Sequence, residues 1–100
     1  MALVVVEREF ADPVDIDAYS AVRKDGAWCF ERHRVRYLRT YFSTDCRRMI
    51  CLYEAPDAES VRQVSRQLGI PFARAWTATA FERPPGSDVH VPLRERGDGG

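Results

Sequence analysis

Two segments in the middle of the chain, Val35 to Ser43 and Arg48 to Ala55, interleave aromatic and β-branched residues with polar ones. The short run Ser43-Thr44-Asp45-Cys46 between them is made of turn formers and leaves no length for a crossover, so the two strands must pair as an antiparallel hairpin. What flanks this hairpin decides the fold. On its C-terminal side, Pro56-Asp57 ends the second strand and opens a helix. Asp57 is placed to cap it, and Val61, Val64 and Leu68 form one apolar stripe. Gly69 falls where a left-handed residue closes a helix, Ile70 supplies the apolar contact, and Pro71 forbids continuation.

The N-terminal side repeats the pattern. Leu3 to Phe10 reads as a strand that opens on three consecutive valines and then alternates with charge, until Asp12-Pro13 breaks it. A helical stretch follows, capped by Asp15 or Asp17. Ile16, Tyr19, Arg23, Ala27 and Phe30 share one side of it, and Asp25-Gly26 predicts two pieces joined at Gly26. Ala73 to Glu82 reads as the last strand. The order is strand, helix, strand, strand, helix, strand. With right-handed crossovers this gives an α+β, ferredoxin-like βαββαβ fold, whose antiparallel four-stranded sheet carries both helices on one face. Strands one and three are then central. Residues 1–83 form this one domain, and 84–100, opening on Pro84-Pro85-Gly86, form a mobile tail in which Val89 to Leu93 can add to a partner's sheet edge.

Alternation along the strands predicts two faces. Val4, Val6, Leu38, Phe42, Ile50, Leu52, Trp76 and Ala78 are expected under the helices. Val5, Glu7, Tyr37, Arg39, Tyr41, Met49, Cys51, Tyr53, Thr77 and Phe81 are expected on the uncovered face. So aromatic an open face predicts burial by a second copy, as a dimeric α+β barrel. On it, Glu7, Arg39, Tyr41, Cys51 and Tyr53 form a candidate ligand-binding set: a carboxylate beside phenols and a guanidinium can hold a small polar ligand or move a proton. The same residues also suit an interface network. Cys29 and His33, four apart on a helix, can offer two ligands to a transition metal, and a buried cysteine beside a helix-end histidine explains them as well. Cys46 in the hairpin turn and His90 in the tail carry no sign of activation.

Net charge is zero and the third strand lacks the Gly- and aromatic-rich motif of RNA-recognition domains, so nucleic acid is excluded as a partner. The longest apolar run, Ala2 to Val6, is too short to span a membrane or serve as a signal-peptide core. Three cysteines, an odd number, suit reduced thiols, and together these features predict a cytoplasmic protein.

Four segments carry a resemblance. Val6-Glu7-Arg8-Glu9-Phe10, Tyr41-Phe42-Ser43, Cys51-Leu52-Tyr53-Glu54-Ala55-Pro56-Asp57 and Gly69-Ile70-Pro71 resemble the small bacterial nickel-binding, ferredoxin-like family, catalogued as a domain of unknown function. The likeness runs from Leu3 to Glu82. It implies a homodimer and binding of nickel or another divalent transition metal. It also implies a histidine on the second strand where this chain has Arg39, and a glutamate on the fourth where it has Thr77. A guanidinium cannot replace an imidazole ligand, which leaves Glu7, His33 and Cys29 or Cys51 as the metal ligands to consider. Two functions follow: a metal- or ligand-binding dimer without turnover, or, by fold analogy, a small dimeric isomerase, cyclase or cofactor-free oxygenase.

Overall fold

The computed structural model describes residues 1–86, 88 and 91–92. Its elements are β1 (Ala2–Glu9), α1 (Ile16–Asp25), α2 (Ala27–Arg32), β2 (Arg36–Phe42), β3 (Arg48–Ala55), α3 (Ala58–Leu68), β4 (Arg74–Ala78), β5 (Phe81–Glu82) and β6 (Val91–Pro92). The first four strands in the antiparallel sheet lie in the order β2-β3-β1-β4, so the expected ferredoxin-like layout holds, with β1 and β3 central.

The local signals act as the sequence predicts. The Asp15 carboxylate accepts from the Asp17 backbone N–H, and the Asp57 carboxylate accepts from that of Ser60, satisfying helix-start donors. Gly26 divides the first helical stretch into α1 and α2. Gly69 adopts φ 68°, and Ile70 N–H reaches back to the Ser65 carbonyl at 2.8 Å, closing α3. Between the helices and the sheet lies the core. It is built from Val4 and Val6 of β1, Met49, Cys51, Tyr53 and Ala55 of β3, Tyr19, Cys29 and Phe30 of α1 and α2, and Val61 and Val64 of α3. Of the expected α1–α2 stripe, Tyr19 and Phe30 are buried, whereas Ile16 and Ala27 are exposed and Cys29 takes the inward position.

The expected faces are corrected on three strands. In an antiparallel pair, residues directly opposite share a face. Tyr53, Cys51 and Met49 stand opposite Val4, Val6 and Arg8, so they face the helices, while Leu52 and Ile50 stand opposite Val5 and Glu7 on the open side. The inner residues of β3 are apolar in both phases, but the buried phase, Met49, Cys51, Tyr53 and Ala55, is apolar throughout, whereas Arg48 and Glu54 flank Ile50 and Leu52 in the other. In β2 a bulge at Leu38 shifts the register between Tyr37 and Arg39. Tyr37 therefore packs on the core while Arg39 and Tyr41 face outward. In β4 the covered position beneath α3 is Ala75, whose carbonyl accepts from Arg62 at 2.6 Å. Trp76 is turned to the open face opposite Val5.

The single strand expected over Ala73 to Glu82 is interrupted after Ala78. The chain turns at Pro84-Pro85-Gly86, where Gly86 has φ 79°, and Val91–Pro92 pairs with Phe81–Glu82 of the same chain. Of the segment Val89 to Leu93, expected to add to a partner's edge, only Val91 and Pro92 lie within the described residues. His90 and most of the expected mobile tail lie outside the described residues. No described helix is long and apolar enough to cross a membrane.

Candidate functional site

The open face of the sheet is built in rows that the register dictates. Tyr41, Ile50, Glu7 and Arg74 form one row across the four strands, and Arg39, Leu52, Val5 and Trp76 form the next. Trp76 joins them: its indole N–H donates to Glu7 Oε2 at 2.9 Å, a bond strengthened by the carboxylate's charge. Arg39 donates to the Tyr41 hydroxyl at 3.0 Å, and its guanidinium lies 5.9 Å from the Tyr41 ring centroid. Three large apolar side chains stand in this face with no cover, Trp76 at 46% exposure, Ile50 at 42% and Tyr41 at 55%. At one end the face dips into a groove of about 370 Å³ whose lining includes Glu7, Glu9, Tyr41, Arg48, Ile50 and Arg74.

The candidate ligand set is thus divided by the sheet. Glu7, Arg39 and Tyr41 lie on the open face, and Cys51 and Tyr53 are fully buried beneath the helices. There they belong to a different cluster, centred on Arg8. This arginine is 1% exposed, and its guanidinium donates to the Pro71 carbonyl at 3.0 Å, the Tyr53 hydroxyl at 3.1 Å and Ser65 Oγ at 3.2 Å. Tyr19 OH lies 3.7 Å from Cys51 Sγ, and Thr40 Oγ1 donates to the same sulfur at 3.5 Å. Burial, joined by the neighbouring phenol and thiol, pushes the Tyr19 hydroxyl far above the ordinary tyrosine value. Burial also raises Tyr53, although Arg8 opposes it. Both phenols stay neutral; Tyr53 accepts from the guanidinium while Tyr19 meets the Cys51 sulfur, and no Arg8–carboxylate ion pair forms among the described residues.

Arg8, Ser65 and the Tyr19 hydroxyl are absent from the sequence-based candidates. A signal existed in the strict alternation Val4, Val6, Arg8, which places the arginine on the same side as two core valines.

The candidate metal ligands are divided in the same way. Glu7 is on the open face, whereas Cys29 and His33 lie in the helical layer. The Cys29 thiol donates to Gln67 Oε1 at 2.9 Å, and His33 Nε2 lies 3.3 Å from the same oxygen. Burial pushes the Cys29 thiol up, outweighing the nearby Arg32, so the site favours the thiol over the thiolate that binds metal. Among the described residues no three His, Cys, Asp or Glu side chains converge. Arg39 and Thr77, which stand where the resemblance implies two ligands, lie on opposite faces of the sheet: Arg39 shares its row with Val5 and Leu52, Thr77 stands opposite Val4. The donor set of the described chain therefore does not fit a closed nickel site.

Residues 5–77 match the model of a family described as "Nickel responsive protein SCO4226-like". No curated protein sequence gives a significant match. Among solved structures, the crystal structure of SCO4226 from Streptomyces coelicolor A3(2) superposes with a TM-score of 0.68 and 16% identity, covering 77% of this chain and 95% of that one. At that identity the likeness concerns the fold alone.

Proposed function

The chain belongs to the nickel-responsive, SCO4226-like family, and from that premise we propose that it works as a homodimer that binds a small polar or ionic ligand between two open sheet faces, without turnover. The observation that carries this reading is the open face itself. Trp76, Ile50 and Tyr41 form an apolar patch too aromatic to leave in water, and Arg39, Arg74, Glu7 and Glu54 surround it with both signs of charge. A patch of mixed sign is complementary to its own copy under a two-fold rotation. Stacking two such faces brings the groove of each chain under a second sheet, and the carboxylates and guanidiniums lining it become less solvated and more selective.

Binding is favoured over catalysis by where the perturbed groups sit. Tyr19 and Tyr53 are sealed in the core against Arg8. They act on the fold, and neither of them lines the groove. As for nickel, among the described residues a thiol, an imidazole and an amide oxygen meet at Cys29, His33 and Gln67, and a tight site would draw donors from the second copy.

Sedimentation equilibrium at micromolar concentration tests the proposal. The wild type is expected to sediment as twice 11.5 kDa and the Trp76→Glu variant as a folded monomer, because the substitution places a charge at the centre of the patch. A monomeric wild type would refute the dimer. A calorimetric titration with nickel chloride is expected to give no stoichiometric tight binding, and tight binding lost in Cys29→Ser or His33→Ala would show that the helical layer builds the metal site instead.

A further inference from the structure

A second cavity lies away from the open face, between α1–α2 and the outer edge of β2. It is larger than the sheet groove, at about 540 Å³, within the range of small-molecule sites. Its wall is apolar where Phe30, Val35 and Tyr37 meet. Its rim is basic: Arg23, Lys24 and Arg36 line it, with Glu31 as its one carboxylate. Arg36 pairs with Glu54 at 2.7 Å, which leaves Arg23 and Lys24 as the charge the cleft directs at an incoming group.

Arg23 is held ready. Its guanidinium carbon sits 3.9 Å from the centroid of the Tyr37 ring, so the charged plane is laid against an aromatic surface instead of swinging in solvent. The bulge at Leu38 makes this possible, because it turns Tyr37 toward the helical layer. Among the described residues Arg23 Nε, like Arg8 Nε in the core, is buried without a hydrogen-bond partner, so the terminal guanidinium is the part of Arg23 left to meet a ligand.

We propose that this cleft binds a small amphipathic carboxylate, its anionic head against Arg23 and Lys24 and its apolar body along Phe30, Val35 and Tyr37. A free inorganic anion would leave the apolar wall in water, and a neutral lipid would leave the cations unanswered. The inference does not depend on the dimer, because the cleft belongs to the helical side of one chain.

Calorimetric titration of the full chain with sodium octanoate tests it, with 1-octanol and sodium acetate as probes lacking the head and the tail. Octanoate is expected to bind saturably, one per chain, at least about tenfold tighter than either control. Arg23→Gln should weaken octanoate about tenfold, and Lys24→Gln should weaken it in the same direction should the first variant fold poorly. Arg47→Gln, which removes a distant charge from the hairpin turn, should leave it unchanged. Octanoate that binds no better than octanol or acetate, or that binds undiminished to the folded Arg23 and Lys24 variants, would overturn the proposal.

Discussion

Arg8 donates to the Tyr53 hydroxyl at 3.1 Å, so the one arginine buried in the described core is answered by a phenol and not by an acid. Two further acceptors, Ser65 Oγ and the Pro71 carbonyl, tie the end of β1 to α3 and to the segment after it. Burying a charge is costly, and these three bonds offset much of that cost, while Arg8 Nε is buried without a partner among the described residues. Tyr53→Phe removes one acceptor and adds nothing, and it is expected to destabilise by about 1–3 kcal/mol in urea denaturation. An unchanged unfolding midpoint would show that Ser65 and Pro71 suffice.

Gly26 and Leu68 make a second tight relationship. A β-carbon at Gly26 would overlap Leu68 Cδ1 and lie 2.8 Å from Cδ2, although the backbone φ of −91° suits any residue. A β-carbon there would push the Leu68 side chain aside at the α1–α2 junction with α3. Gly26→Ala should therefore destabilise, and Leu68→Ala alone should cost about 2 kcal/mol, the low end for a core leucine, because Leu68 is only half-buried. In the double variant the space freed at Leu68 admits the new methyl, so the combined loss should fall short of the sum. Strict additivity in thermal melts would disprove the contact.

Acid should loosen the start of α3. The Asp57 carboxylate accepts from Ser60 N–H at 2.7 Å and Ser60 Oγ at 2.8 Å, and these bonds hold its pKa below the usual aspartate value. A depressed folded pKa contributes stability above the unfolded value, near about 4. That contribution is lost as pH falls through the folded value. Asp57→Asn keeps an acceptor without the titration, so its melting temperature should fall less steeply than wild type over about pH 5 to 2. Parallel curves would remove Asp57 from the acid response.

The three thiols should be distinguishable in the native state. Cys46 is partly exposed in the hairpin turn, whereas Cys29 and Cys51 are fully buried and Cys29 is further held as a thiol by burial. One equivalent of an aromatic disulfide reagent is expected to react promptly, at Cys46, and the other two only after denaturant is added. Prompt reaction in the Cys46→Ser variant would mean that the helical layer opens.

The order of elements, the cap at Asp57, a cap at Asp15 or Asp17, the break at Gly26 and the left-handed stop at Gly69 were legible in the residues, because each rests on interactions within a few positions of chain. So was the central place of β1 and β3, which follows from element order and crossover handedness. Which face of each strand the helices cover was decided only by tertiary structure. In β3 Ile50 and Leu52 compete with Cys51 and Tyr53, and although the charges of Arg48 and Glu54 mark the outer phase, Tyr53 OH and Cys51 Sγ take the inner one, where they meet Arg8, Tyr19 and Thr40. In β2 a bulge of one residue reversed the phase between Tyr37 and Arg39. A period of two carries no information about its own origin, so one such shift exchanges core for surface. That is why Glu7, Arg39 and Tyr41 were placed together on the open face while Cys51 and Tyr53 were separated from them, and why the cleft at Arg23 and Tyr37 emerged only once the strands were paired.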